Sequence, residues 1–525
     1  MHFDSSRGRR AFDFYRANSA HLLQGICEGD FWDGVVLQLS LTEPIVRHAV
    51  LAVSGLLECV ASTRPALHLA AQRGLALSEY GKAIRGLRKW SAEGDKSAIP
   101  LLVCVLFICI EFLLEHDGAS QLHVCQGRNI LSGLAESRSP DMRLIKNDLV
   151  PIYARLSLAS FLFGSRPVPI PNHLTGDTES PPNFTSIEHS RCCLYVLLDQ
   201  ALRFTTKSHP VAYSPFPDID ELNTLAAEQQ SLLTRLSDWR NAFAVFAASQ
   251  KGALPTEQHL LQIYYNASMI WISTALQPLE TAYDAHTPAF ASIIADASAV
   301  LQGFSARSQF PLFTFETELI APLYWTATKC RHPLLRRAAV GLLMRDELRN
   351  RRENMWSGKA AIVIATRVIE LEEARDDRDV PARPVAPEFI HDCASLDMSD
   401  QLPLEGMQPL SHPPSDIRVP KSQPPTIPRV FFPMLDSTAV FPDEPATSLT
   451  SAASTPGAQE DTRPLPILPP SEGVGMHPPY GVAETRRIKN TLIEPREADG
   501  VWVRMFRGLE DGERDWHVTR EFLPL

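Results

Sequence analysis

Phe31–Glu58 reads FWDGVVLQLSLTEPIVRHAVLAVSGLLE. Thr42-Glu43-Pro44 has the form of a helix start, with Thr42 as N-cap and the proline in the first turn, where its missing N–H is not needed. Behind it Ile45, Ala49, Val53 and Leu56 recur at helical spacing, so one face of this segment is turned to a core. The block predicts a long buried helix and sets the class of the fold as all-α.

The same pattern extends outward in both directions. Pro65–Trp90, Ser97–Glu115, Gln121–Leu134 and Leu144–Phe163 follow as helices, with Pro151 predicting a kink or break in the last. Val168–Asn183, VPIPNHLTGDTESPPN, is dense in proline and predicts a non-helical loop between two helical halves. Helical patterning resumes at Ile187–Phe204, with Tyr195, Leu198 and Leu202 on one side. It continues through Asp218–Ala248, Thr256–Tyr283, Pro288–Phe304, Thr314–Thr328, Pro333–Leu343 and Lys359–Glu373. No fixed-period repeat marks a solenoid. The organisation expected is residues 1–167 and 186–373 as two helical halves, 168–185 as the loop, 374–484 as a linker and 485–525 as a β-rich tail.

Half of the 42 prolines lie between Pro381 and Pro479, in a stretch rich in Ser, Asp and Thr, which predicts a disordered insertion. Its apolar island Val430–Leu435 reads as a few sticky residues in a loop rather than a docking motif. After it, Arg487–Ile493, Val501–Phe506 and Trp516–Phe522 read as three short strands, with turns at Ala498-Asp499-Gly500 and Glu510-Asp511-Gly512. Three strands alone are marginal, so this small C-terminal β element is expected to dock on the helical body.

Composition narrows the function classes. The chain has 525 residues, 44% hydrophobic, with a net charge of −11. A chain this acidic has no overall attraction for phosphate backbones, so nucleic-acid contact would need a local basic patch. Nine cysteines contain no C-x-x-C pair. They make neither a zinc ribbon nor a disulfide framework, and Cys104, Cys109 and Cys193 sit in apolar helical context as small hydrophobes. That usage predicts a reduced, intracellular protein. Ala98–Leu114, AIPLLVCVLFICIEFLL, is the most hydrophobic run. It falls short of the roughly 20 clean apolar residues of a membrane span, and it carries Pro100 and Glu111, so it predicts a buried core helix and no membrane association.

Catalytic patterns fail one by one. G-x-S-x-G, H-E-x-x-H and the phosphate-binding glycine loops are absent, and Gly473-Val474-Gly475 has no strand or helix around it. Asp376-Asp377-Arg378-Asp379 superficially suggests a magnesium-binding aspartate cluster. It runs from Glu372-Glu373 into Val380-Pro381 with no second motif, so a solvated charge run is the better reading. His48, His116, His123 and His189 are scattered, and neither His116/Asp117 nor Glu188/His189 shares a helix face. The basic groups Arg7/Arg9/Arg10, Arg331 with Arg336-Arg337, and Arg349/Arg351/Arg352 read as solvated faces or as partners of carboxylates. No catalytic, cofactor-binding, metal or DNA-binding residue is assigned, and no cofactor is expected.

Two blocks carry a resemblance. One is Arg10–Glu58, with Phe12-Asp13-Phe14-Tyr15, Phe31-Trp32, Glu43-Pro44 and His48-Ala49-Val50. The other is Pro322–Glu373, where Lys329-Cys330-Arg331-His332-Pro333 precedes Arg336-Arg337, and Arg351-Arg352-Glu353 precedes Trp356 and a helix holding Ile369-Glu370. Both blocks resemble the regulatory region of fungal transcription factors that carry a six-cysteine binuclear zinc cluster. The resemblance implies a helical regulatory domain in a nuclear protein controlling metabolic or secondary-metabolite genes. It also implies a protein partner, in the transcription machinery or a DNA-binding relative, and possible response to a small-molecule effector. The family reads DNA with thiolate pairs that this sequence lacks, so none of its DNA contacts transfers here. Two versions follow: a zinc cluster encoded upstream of Met1, or action through a partner without DNA contact. A helical interaction or metabolite-sensing protein with no place in transcription is the alternative.

Overall fold

The computed structural model describes residues 6–26, 30–61, 66–90, 97–136, 140–162, 166–175, 183–214, 216–250, 256–305, 311–374, 415–418, 480–494, 499–508 and 517–525. The fold is helical, with two small sheets. Its first half contains α1 (Ser6–Leu23), a π-turn at Phe31–Val35, α2 (Val36–Thr42), α3 (Pro44–Ala61), α4 (Ala66–Arg88), α5 (Ala98–Leu114) and α6 (Asp117–Ser132). Then come α7 (Pro140–Leu144), a second π-turn at Ile145–Leu149, α8 (Val150–Leu162) and the single turn α9 (Asn172–Thr175).

The opening block is not one helix. Thr42 ends α2, with its hydroxyl donated back to the Leu39 carbonyl, instead of capping α3. Glu43 is extended at φ −99°, ψ 110°, because the ring of Pro44 disfavours helical backbone in the residue before it. Helix α3 then buries Val46, Ala49, Val50, Val53, Leu56 and Leu57, while Ile45 is half-buried. It crosses α4 closely: a Cβ on Gly55 would sit 2.9 Å from that of Ala76, and one on Gly86 would sit 2.8 Å from Ile45. Helix α3 is long and apolar enough to cross a membrane by length and composition, but it is mostly buried among its neighbours. Helix α5 is buried along nearly its whole length, as its composition implies. Burial pushes the Cys104 thiol up to about 11 and that of Cys109 higher still, so both behave as apolar groups.

The proline expectations take a specific form. At Pro151 the regular α ladder is interrupted, but the chain stays helical. The chain widens into the π-turn just before it, at the carbonyls that a proline ring would otherwise strike, and α8 continues. The proline-dense loop also contains α9, one helical turn opened by a bond from the Leu174 N–H to the Pro171 carbonyl.

The second half contains α10 (Ile187–Ala212), α11 (Ile219–Ser249), α12 (Thr256–Thr274), a 3-10 turn at Glu280–His286 and α13 (Thr287–Ser305). Ser186 caps α10 by accepting the His189 N–H, and Asp218 caps α11 through the N–H groups of Asp220 and Glu221. Tyr195, Leu198 and Leu202 are buried together, as their spacing predicts. The predicted stretch Thr256–Tyr283 divides ahead of Pro278. The stretch Thr314–Thr328 instead begins with a strand, β1 (Phe313–Thr314), and becomes helical only at α14 (Ile320–Lys329). Beyond α15 (Pro333–Leu343) and α16 (Asp346–Arg349), β2 (Arg352–Glu353) and β3 (Trp356–Ser357) join β1 in a three-stranded sheet, with a tight turn at Asn354, φ 46°. Helix α17 (Gly358–Glu373) follows.

Ser415–Arg418 forms β4. It pairs with β7 (His517–Pro524), which continues to β6 (Gly500–Arg507) and β5 (Ile488–Ile493) in the order β4-β7-β6-β5, all antiparallel. The three predicted strands are therefore present, with a short fourth added. Ile488, Val501, Val503, Met505 and Leu523 enter the same hydrophobic core as the helices. The expected insertion also ends earlier than residue 484, because Tyr480 and Glu484 are hydrogen-bonded to the helical body; residues 375–414 and 419–479, including Asp376–Asp379 and Val430–Leu435, lie outside the described residues, as do Trp516 and the turn Glu510–Gly512.

Gly358 opens α17 where a Cβ would meet the carbonyl oxygen of Leu348, a backbone atom that no rotamer change can move. Gly358→Ala is expected to cost about 1–3 kcal/mol by overpacking. Gly341→Ala, on open α15 surface, is expected to be neutral or to gain about 0.5–1 kcal/mol. Thermal melts of the two variants beside the wild type check both.

Candidate functional site

The turn Lys329-Cys330-Arg331-His332-Pro333 joins α14 to α15. Pro333 occupies the first turn of α15, and the His332 ring accepts the Leu335 N–H as its N-cap. Cys330 and His332 are extended, so Lys329 and Arg331 lie on the same side of the chain, turned inward. Lys329 donates to both oxygens of Glu280 at 2.9 Å. Arg331 bridges Glu280 at 2.9 Å and Glu372 at 2.8 Å. Arg336, one turn along α15, closes on the other Glu372 oxygen at 2.7 Å and on the Ala327 carbonyl at 3.2 Å. Arg337 pairs with Glu373 at the rim. Arg331, Arg336 and Glu372 are fully buried.

Burial opposes the charge on Glu372, but Arg331 and Arg336 outweigh it and hold its carboxyl at about 2. Burial likewise works against Arg331, yet Glu372 and Glu280 raise its proton affinity above the ordinary value. The same hub receives the C-terminal sheet. Glu372 accepts the Ile488 N–H at 2.7 Å, Lys329 donates to the Lys489 carbonyl at 2.9 Å, and Arg487 forms a two-pronged pair with Asp284 at 2.7 and 2.8 Å.

A second buried hub lies at the start of α14. Glu353 accepts the N–H groups of Glu318, Leu319 and Ile320 at 2.8, 3.1 and 3.0 Å, satisfying donors that a helix start leaves open. Arg351 reaches Glu318, and the Glu318 carboxylate also accepts the N–H of Ile26, far away in sequence. Burial raises the Glu318 carboxyl above the ordinary range, with Arg351 pulling against it and Glu353 adding to it. Burial raises the Glu353 carboxyl too, with Arg351 and its three N–H donors pulling against the rise. Arg352 turns the other way, to Glu115 at 3.1 Å and Asp117 at 3.3 Å. A third hub is Arg128, which holds Val168, Tyr153, Ser157 and Asp199 between the two halves.

The paired reading holds for Arg331, Arg336, Arg337, Arg351 and Arg352, and the solvated-face reading for Arg7, Arg9 and Arg349. Arg331, Arg336 and Arg351 offer nothing to a phosphate backbone. Arg7, Arg9 and Arg349 are exposed, and Arg10 pairs with Glu58. His116 contacts Glu111 rather than Asp117, and Glu188 pairs with Arg191 while His189 lies edge-on to Phe184. Among the described residues no three His, Cys, Asp or Glu side chains are grouped to hold a metal. Sequence reasoning missed the carboxylate halves of the hubs, Glu280, Glu318, Glu353 and Glu372. It also missed Glu111, which accepts the Tyr80 hydroxyl at 2.6 Å while His123 stands 3.3 Å from that hydroxyl. A lone carboxylate inside so apolar a helix was the available signal, since such a group is retained only with partners.

Two curated proteins are similar to this chain, and both are named as transcription regulators. The aspercryptin biosynthesis cluster-specific transcription regulator atnN of Emericella nidulans is 24% identical over 290 residues, 52% of this chain and 47% of that protein. The transcription regulator lscL of Purpureocillium lilacinum is 31% identical over 126 residues, 22% of this chain and 29% of that protein. The chain therefore matches about half the length of the first relative and under a third of the second. No family model and no solved structure matches it.

Removing one member of a buried pair strands the other, at a cost of roughly 3–5 kcal/mol. Glu372→Gln is expected to destabilise the protein by that order. Because the folded-state pKa of Glu372 is depressed from 4.5 to about 2, its stabilisation is present above 4.5 and lost as pH falls through 2. Melting temperature followed over that window is expected to fall less steeply in Glu372→Gln than in the wild type. Glu318 slopes the other way: with its carboxyl raised, its contribution declines as pH rises above 4.5. Glu318→Gln is expected to flatten that opposite limb.

Proposed function

We propose that this chain is the helical regulatory region of a fungal transcription regulator of the zinc-cluster class, acting in the nucleus on biosynthetic genes. The observation that carries the reading is its likeness to two fungal proteins named as transcription regulators, one of them specific to a biosynthesis cluster. The buried arginine hubs agree with it. Arg331, Arg336 and Arg351 are engaged in packing, which supports a reading in which regulation runs through partner or effector contacts rather than through these residues on DNA. The reading involves no catalysis.

The test joins the full chain to an unrelated DNA-binding module and measures a reporter carrying that module's site, in a fungal host. A several-fold change in reporter output, up or down, is the expected result. An unchanged reporter with the fusion expressed in the nucleus overturns the reading, as does exclusion of the tagged chain from the nucleus under all growth conditions.

A second expectation concerns DNA. With a net charge of −11 and Arg331, Arg336 and Arg351 locked in ion pairs, the purified chain is expected to bind duplex DNA weakly and without sequence preference. A gel-shift titration across salt concentrations checks this. A salt-resistant, sequence-specific shift is the contrary result.

A further inference from the structure

The residues that lead into and begin β5 are held by the helical body as a bound peptide is held. Tyr480 shares a hydrogen bond with Thr287 at 2.7 Å and lays its ring against His332. Both oxygens of Glu484 accept N–H groups, of Glu280 and Thr281, at the open start of the 3-10 turn, each at 2.9 Å. Arg487 is buried in its pair with Asp284 and donates also to the Glu280 carbonyl at 3.2 Å. The strand backbone at Ile488 and Lys489 is then read directly. Its N–H goes to Glu372, and its carbonyls accept Arg331 and Lys329. The register of β5 against β6 slips at this point, which leaves that backbone edge turned to the body. Thr491 ends the series on the Tyr324 hydroxyl at 2.7 Å.

We propose that Glu280, Asp284, Lys329, Arg331 and Glu372 form a peptide-binding site, filled in cis by the protein's own 480–493 strand and not dependent on the covalent connection through 375–479. The ligand class is an extended segment with a carboxylate, an arginine three residues on and an apolar residue directly after it, as in Glu484, Arg487 and Ile488. Charge matching sets the specificity: an empty site leaves Asp284 without its bidentate partner and removes one acceptor or donor each from Arg331, Lys329 and Glu372. The last residue of α17 and Tyr480 both lie against α15, and between them β4 pairs only with β7 of the C-terminal sheet. Glu373 pairs with Arg336 and Arg337, and Tyr480 packs on His332, the cap of that same α15, so a cut between them strains neither piece. This goes beyond the regulatory reading by placing a releasable element on the helical body.

The test inserts a protease site into the 379–414 stretch of the full chain, so that β4 leaves with its partner β7, cuts the folded protein and runs gel filtration at micromolar concentration. The C-terminal piece is expected to co-elute with the body. Arg487→Gln, a change on the peptide side, is expected to weaken retention by about 100-fold to several thousand-fold, the loss that breaking a buried pair implies. Asp284→Arg is expected to release the piece, and Asp284→Arg with Arg487→Asp to restore it. Melts of the uncut variants confirm that each is folded. Separation of the cut wild type into two species overturns the proposal, and so does full retention in cut Arg487→Gln.

Discussion

Arg331 and Glu372 meet at 2.8 Å with neither side chain open to solvent. Much of the second half depends on that contact. A buried charge without partners is costly, so the pair recruits others, although the Arg331 Nε stays without an acceptor. Glu280 and the Lys329 carbonyl accept from Arg331 on one side, and Arg336 and the Ile488 backbone donate to Glu372 on the other. Together they tie the α14–α15 turn, the end of α17, the 3-10 turn and the C-terminal strand. Apolar packing alone would allow these elements to slide; an arginine fork on a carboxylate fixes their register.

The other hubs repeat the logic at different joints. Glu353 supplies to the start of α14 the acceptors that a helix end lacks, and Glu318 extends that joint to Ile26 near α1. Arg128 draws the Val168 carbonyl of the interhelical loop onto α8 and α10. In each case a charged side chain bridges segments far apart in sequence.

Legibility in the sequence followed the range of the interaction. Helical spacing placed α3, α5, α10 and α17, and the C-terminal strands were visible from their alternation and turns, because those signals are local. Where a proline met a neighbour, the outcome needed three dimensions: Pro44 split the opening block, whereas Pro151 was absorbed by a widened turn. The short strands β1, β2 and β3 carry too few residues for any periodicity and exist because their backbones meet. For the candidate site, the sequence shows arginines that need carboxylates but does not say which carboxylates, because the partners lie 33 to 51 residues away.

By itself the sequence determined the helical class, the buried path of Ala98–Leu114, the C-terminal strands and the absence of familiar catalytic motifs. Each of these follows from the identity and spacing of neighbours along the chain. Only the tertiary structure decided that Arg331, Arg336 and Arg351 face inward, that Glu280 and Glu372 receive them, and that the C-terminal strand seats on their hub. An arginine in a sequence states a need for an acceptor. Which acceptor is a matter of which helices pack together, and that is settled by burial summed over the whole core.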